Sequence, residues 1–337
     1  KENNPNSISP KRKEKIDIQL TYRPISVRNP AIRDVFTIQQ GMAQGFRNYL
    51  ISKDFTEIFT PKIVPQVAES GSNMFKLDYF GTPAFLTQSP QFYKQIMMGS
   101  GFERVFEVGP VFRAEQHDTI RHLNEYTSMD LEMGFIDSFH DLLDIEEDML
   151  RYIYGSISER YPEVLERLDA KVPQFEKIPR IPLLDMKAIL QKDYKKRFEG
   201  GKDIDPEGER LATKYAKEKF GSDFIFLTDY PKGNRPFYAH RKKSNPELTD
   251  SFDLILNGLE VTTGGQRIHD YDELLESMKE NDINPDNCEG YLMAFKYGMP
   301  PHGGMGIGLE RLTMKTLNLN NVREACLFPR DRGKLQV

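Results

Sequence analysis

Strand-like and helix-like stretches follow one another in this chain without the regular strand–helix–strand alternation that a parallel sheet requires, and this constrains the fold more than any other feature. After Asn29-Pro30, the apolar residues Val35, Ile38, Met42, Phe46 and Leu50 recur at steps of three and four, which predicts a helix over 31–52 with Pro30 in its first turn. The segment FTEIFTP (55–61) reads as a strand stopped by Pro61. Short β-rich segments follow around 74–87, 104–113 and 125–136, and strand patterns return at 223–228 and 252–263. Helical patterns cover about 138–168, 206–220, 271–280 and 308–317, and no internal repeat is present. The expected class is therefore α+β: a mostly antiparallel sheet flanked by helices.

The 337 residues include 38% hydrophobic side chains, enough for a sizeable core. Residues 1–15 are polar, with two prolines and a basic cluster, and read as a flexible linker or tail. The segment 169–206 is charge-rich and reads as a small insertion with partial helix. The net charge is −5, which argues against a general nucleic-acid coat protein but does not exclude a nucleic-acid-binding face, since phosphate contacts need only a local basic patch. Cys288 and Cys326 lie far apart without metal-ligand spacing, so no disulfide framework or zinc ribbon is expected and a reducing compartment is. No apolar run approaches membrane-spanning length and no signal peptide opens the chain. The first residue is Lys1 rather than Met, the expectation for a processed or trimmed fragment.

Four segments carry candidate chemistry. In VFRAEQHDTIRHLNEYTSMDLEM (111–133), read as strand, loop and strand, alternation sends Arg113 and Glu115 to one face. A strand-borne arginine is a rigid, forked donor for phosphate, and His117, Arg121 and His122 in the loop are placed to reach a polyphosphate. A salt bridge on a surface hairpin accounts for the Phe-Arg-x-Glu pattern equally well. In GGMGIGLERL (303–312), closely spaced glycines up to Gly308 permit close backbone approach, and Glu310-Arg311 then starts a helix. A glycine-rich strand packed under a helix explains that stretch as well as phosphate binding does; it is neither a P-loop nor a dinucleotide fingerprint. LNGLEVTTGGQRIH (256–269) sets Glu260 near Thr263, with Asp253 on the same strand system. A carboxylate beside a hydroxyl suits Mg²⁺, and a strand end with a turn is the alternative. LTQSPQFYKQ (86–95) gathers Gln88, Ser89, Gln91 and Lys94 around a proline turn, where spacing alone makes Lys94 an ordinary exposed lysine.

In this order the segments resemble the three motifs of class II aminoacyl-tRNA synthetases: the helix and strand ending at Pro61, then 111–133, then 303–312. The stretches QSPQ-x-Y-K (88–94), AESGSNMF (68–75), FRAE…RHLNE (112–125), E-x-x-[ST]-G-G-Q-R (260–267), PPHGG (300–304) and FPRDR (328–332) resemble aspartyl-tRNA synthetases of the archaeal and eukaryotic type. The likeness runs from about residue 16 to the end.

The resemblance implies a class II catalytic fold over 16–337 and ATP-dependent activation of aspartate, followed by transfer to the 3′ end of tRNA in the cytoplasm. It assigns Arg113 to the ATP α-phosphate and the aspartate carboxylate, with Glu115 beside it. Tyr126 and Arg311 are assigned to the two faces of adenine, His117 and Arg121 to the pyrophosphate end, and Gly308 to the nucleotide site. Glu260 and Thr263, with Asp253 nearby, are assigned to Mg²⁺; many members have Ser where Thr263 stands. Lys94 and Arg267 are assigned to the aspartate side chain, and Glu69 and Gln91 to its amino group. It further implies a homodimer formed through the 31–61 element and the acceptor end of tRNA as partner. The family's N-terminal OB-fold, which reads the anticodon, is expected to be absent from this chain. Three alternatives stand beside this reading: a paralogue that passes aspartyl-adenylate to ammonia, an asparaginyl-tRNA synthetase, and a non-catalytic regulatory module.

Overall fold

The computed structural model describes residues 15–65, 73–116, 119–198, 203–333 and 335. Two short helices, α1 (Ile16–Thr21) and α2 (Arg23–Ser26), lead into α3 (Pro30–Ile51). The Asn29 side chain caps α3 by accepting from the Ala31 amide at 3.0 Å. Pro30 occupies a first-turn position whose amide would have no helical partner. There follow β1 (Thr56–Glu57), β2 (Ile63–Val64), β3 (Lys76–Tyr79), β4 (Thr82–Leu86), α4 (Gln91–Gly99), β5 (Arg104–Phe112) and β6 (Glu125–Gly134). Next are α5 (His140–Arg160), α6 (Pro162–Arg167), β7 (Arg180–Pro182), α7 (Leu183–Tyr194), α8 (Pro206–Phe220), β8 (Phe224–Thr228), β9 (Ser251–Leu256) and β10 (Leu259–Gln266). Then come α9 (Tyr271–Glu280), α10 (Glu289–Lys296), β11 (His302–Gly308) and α11 (Leu309–Thr316).

Eight strands form one sheet in the order β1-β5-β6-β11-β10-β9-β8-β7, and β2-β4-β3 form a small second sheet. Every neighbouring pair in the large sheet is antiparallel except the outermost two, β1 with β5 and β7 with β8. One face is covered by α3 and α5. Ile38, Met42, Phe46 and Leu50 on α3 join Leu142, Leu150 and Ile153 on α5 and Met129, Leu131, Met305 and Ile307 of the strands in the main core. Alternation along β6 then fixes the other face: with Met129 and Leu131 in the core, Ser128, Asp130 and Glu132 point the opposite way.

Several elements differ from the sequence reading for identifiable reasons. The 55–61 stretch forms only the two-residue β1, because the Glu107 carboxylate takes the Thr60 amide (3.1 Å) and hydroxyl (2.6 Å) and turns the chain away. The 252–263 pattern is a hairpin: Asn257 (φ 45°) and Gly258 (φ 77°) make a two-residue turn of the kind that matches strand twist. Helix α4 does not show in apolar spacing because three of its four buried residues, Gln91, Lys94 and Gln95, are polar. Segment 169–206 supplies the edge strand β7 as well as α7, which packs on α8 through Leu183, Met186, Leu190, Ala212 and Ala216. The apolar face of α3 is buried within its own chain, so it is not a surface that a second copy could cover. Exposed large apolar side chains among the described residues of α3 and the stretch that follows it include Ile51, Phe59 and Ile63.

Candidate active site

The face of the sheet opposite α3 and α5 forms the floor of an open cleft of about 1280 Å³. Gly304 lets β11 lie close on β6: a Cβ there would stand 2.2 Å from the Leu131 carbonyl oxygen and 2.1 Å from Glu132 Oε2. The glycine run is thus a strand in close contact with its neighbour, and its end at Gly308 also lines the cleft. The strand reading of that segment is what the structure shows.

At the inner end, charges are paired beneath the floor. Lys94 and Glu132 have no exposure. Lys94 Nζ lies 2.9 Å from Asp130 Oδ1, 3.4 Å from Glu132 Oε2 and 3.3 Å from the carbonyl oxygens of Leu131 and Met305. An ammonium has three protons, so the protein itself satisfies this one. The expected exposed lysine is buried, and it does not line the cleft, whereas Gln91, Asp130 and Arg267 do. Arg267 Nε donates to Glu132 Oε1 at 2.9 Å, Nη2 approaches Gln91 Oε1 at 3.3 Å, and the guanidinium lies over the Tyr238 ring at 5.5 Å. Burial would raise the Glu132 pKa, but Arg267 and Lys94 outweigh it and hold the carboxyl below its usual range. Behind this layer, Tyr291 Oη donates to Gln95 and Gln95 Nε2 lies 3.0 Å from His302 Nε2. Burial holds His302 down to about 4, so it is neutral at pH 7, consistent with Nδ1 donating to the Pro300 carbonyl.

At the outer end, Arg113 and Glu115 follow β5 and both line the cleft. Asn124 anchors their backbone by donating to the carbonyls of Arg113 (2.7 Å) and Glu115 (2.9 Å). The Arg113 guanidinium sits 5.7 Å from the Tyr126 ring centre. Arg311, also in the lining, donates from Nη1 to the Glu260 carbonyl (3.2 Å) and approaches its carboxylate (3.4 Å), and from Nε to the Arg121 carbonyl (3.3 Å). Glu310 accepts from the Thr127 amide at 3.1 Å, and burial pushes its carboxyl up to about 7.

Between the two ends three oxygen groups converge. Thr263 Oγ1 donates to Asp253 Oδ1 at 2.9 Å and lies 3.1 Å from Glu260 Oε1. Arg235 Nη2 pairs with Asp253 at 2.9 Å, and its guanidinium stacks on Tyr230 at 3.7 Å. Burial and the Glu260 charge push Asp253 up to about 6 against the pull of Arg235. Glu260 goes the other way: burial opposes ionisation, but Arg311, Arg235 and Arg113 together hold its pKa down.

Of the sequence candidates, Arg113, Glu115, Arg121, Tyr126, Gln91, Arg267, Glu260, Thr263, Gly308 and Arg311 line one cleft. Lys94 and Asp253 adjoin it through Asp130 and Thr263, while Glu69 and His117 lie outside the described residues. Sequence reasoning missed Asp130, Glu132, Arg235, Glu310 and Glu209, which pairs with Arg121. The i, i+2 spacing of Ser128, Asp130 and Glu132 on a strand was the available signal for the first two.

A cleft over an antiparallel sheet, lined by Arg113, Arg311 and Arg267 together with Glu260 and Asp130, is that of a class II synthetase. The chain belongs to that family, matching tRNA synthetases class II (D, K and N) over residues 15–332. It is 46% identical to the aspartate–tRNA(Asp/Asn) ligase of Aeropyrum pernix, over 98% of this chain and 75% of that one. It is 49% identical to the enzyme of the same name from Deinococcus radiodurans (95% and 74% covered) and 43% to the aspartate–tRNA(Asp) ligase of Pyrococcus abyssi (96% and 74%). Among solved structures it superposes on a putative aspartyl-tRNA synthetase from Leishmania major with a TM-score of 0.84 at 34% identity, covering 98% of this chain and 71% of that one. The asparaginyl-tRNA synthetase of Pyrococcus horikoshii complexed with asparaginyl-adenylate gives 0.89 at 30% identity, covering 99% and 75%. Within its class, the chain belongs with the aspartate–tRNA ligases. Among the described residues, no helix is long and apolar enough to cross a membrane.

Proposed function

We infer that the chain activates aspartate with ATP and transfers the aspartyl group from the adenylate to the 3′ end of tRNA. The observation that carries this reading is the cleft itself, with the Arg267–Glu132–Lys94 floor at one end and Arg113 and Arg311 on the walls at the other. An aspartate α-carboxylate oxygen attacks the α-phosphorus in line, the bond to the pyrophosphate oxygen breaks, and the electron pair leaves with pyrophosphate. The nucleophile is already ionised, so this step needs no general base; positioning and charge stabilisation carry it.

In this reading Arg113 bridges the α-phosphate and the attacking carboxylate, with Glu115 beside it, and Tyr126 and Arg311 enclose the adenine. Arg121 and His117 meet the pyrophosphate end. Arg267 grips the substrate side chain, Lys94 supplies a second positive charge from beneath the floor, and Gln91 and Glu69 bind the amino group. An asparagine amide, being neutral, would not return the charge-assisted bond that Arg267 gives to a carboxylate. Glu260, Asp253 and the Thr263 hydroxyl would hold Mg²⁺; they fit it, being hard oxygen donors that already converge within hydrogen-bonding distance. When bound, the ion neutralises phosphate charge. The exposed Ile51, Phe59 and Ile63 in the 31–64 stretch support a homodimer, and a cytoplasmic setting suits a chain whose two cysteines are free. Aspartate-dependent exchange of labelled pyrophosphate into ATP tests the activation step, and charging of tRNA tests the transfer. Exchange absent with every amino acid would favour the regulatory module instead.

A further inference from the structure

Arg121 is held in place by a residue outside every segment that resembles the synthetase motifs. Glu209 stands 88 positions further along the chain, on α8, and its carboxylate accepts from Arg121 Nη2 in a close ion pair. Glu209 is only 7% exposed. Its helix is firmly seated: Asp205 caps it by accepting from the Gly208 amide at 2.7 Å, and Ala212 and Ala216 pack into the core shared with α7. The pair uses one amino group of the guanidinium. Among the described residues the remainder has no side-chain partner, and Arg121 lines the cleft.

We propose that Glu209 is a positioning residue for the nucleotide: from α8 it holds one edge of Arg121 so that the other is presented to the polyphosphate end of ATP. This rests on the reading that Arg121 meets that end of the substrate. A loop arginine samples many rotamers, and fixing it before the ligand arrives removes that ordering cost from binding. A carboxylate, unlike an apolar neighbour, fixes the guanidinium in plane and direction through a charge-assisted bond. Burial pushes the Glu209 carboxyl up to about 7 despite Arg121, so its charge depends on keeping that partner. The loop is also tied at the Arg121 carbonyl by Arg311 Nε. The edge of the nucleotide site is therefore set jointly by α8 and α11.

The test is pyrophosphate exchange by the full chain with Glu209→Gln, Arg121→Ala and the double variant, measuring KM for ATP and for aspartate separately. Glu209→Gln keeps the side chain's size and one neutral acceptor, so α8 should remain folded, and a thermal melt checks this. The expected result is an ATP KM raised about tenfold, with the aspartate KM unchanged. In the Arg121→Ala background the Glu209 change should add less than about twofold, because the two residues act as one unit. An unchanged ATP KM in Glu209→Gln, while Arg121→Ala raises it, overturns the proposal. An equal increase in both backgrounds also overturns it, since Glu209 would then act on the fold alone. If Arg121→Ala leaves the ATP KM unchanged, the role given to Arg121 fails instead.

Discussion

Replacing Lys94 by Met tests the buried charge layer most severely. The substitution keeps an unbranched apolar stem of similar volume and removes the ammonium, which sits 2.9 Å from Asp130 and 3.4 Å from Glu132 with no exposure. Arg267 still pairs with Glu132, so the principal loss falls on the buried Asp130, left with its Ser128 bond. Removing one partner of a buried ion pair costs about 3–5 kcal/mol. At ~2.1 cal/mol/K of unfolding entropy per residue, about 4 kcal/mol lowers the melting temperature of a chain this long by about 6 °C. The assay is thermal unfolding at pH 7 followed by circular dichroism. A second variant separates lost charge balance from lost packing: Asp130→Asn in the Lys94→Met background removes the stranded carboxylate and should recover part of the deficit without restoring activity. The pH dependence has a definite sign. The lowered pKa of Glu132 contributes stability that is present above the unfolded carboxylate range, near ~4.3, and is lost as pH falls through the folded value. The Lys94→Met deficit should therefore narrow below about pH 4. A variant melting within about 1 °C of the parent at pH 7, or a double variant less stable than the single one, would refute this account of the floor.

Arg113→Ala should lower kcat/KM for adenylation by about 10³-fold, as for other arginines that stabilise phosphoryl transfer, and a loss below tenfold in pyrophosphate exchange would remove Arg113 from that role. Glu146 is a carboxyl on α5 with no exposure, facing Thr262, and neither group has a hydrogen-bond partner of ordinary geometry. Burial raises its pKa to about 8, so the folded state holds a proton that the unfolded state releases, and stability falls as pH rises from the unfolded value toward 8. Glu146→Gln should flatten that slope and melt higher than the parent at pH 8; an identical pH profile in urea denaturation would show that Glu146 does not titrate as described. Asn29→Ala removes the cap of α3 and should cost about 1 kcal/mol in the same assay, with no change in KM for either substrate.

Much of the site was legible because its chemistry sits on short, ordered stretches. Alternation placed Arg113 and Glu115 together, and the 260–263 spacing joined Glu260 to Thr263. What escaped was chemistry hidden in residues that look structural. Lys94 reads as a surface lysine because spacing carries no information about a carboxylate 36 residues away. Asp130 and Glu132 alternate with Met129 and Leu131 and so resemble the polar side of any half-buried strand. Arg235 and Glu209 come from the stretch after residue 203, and only the sheet order, with β8 and β9 beside β10, brings it to the cleft. The apolar face of α3 was read correctly as a face, but its partner is α5 of the same chain.

The central claim, that this cleft activates aspartate, is tested most directly by the amino-acid dependence of pyrophosphate exchange. Aspartate, asparagine and lysine should be compared at saturating ATP and Mg²⁺. The account predicts exchange with aspartate at a kcat/KM exceeding that for asparagine by hundreds-fold or more. It rests on the charge-assisted bonds from Arg267 to the substrate carboxylate, which the neutral amide cannot return and which are worth roughly 1.5–3 kcal/mol each. Asparagine supporting exchange as well as aspartate, or better, would contradict it.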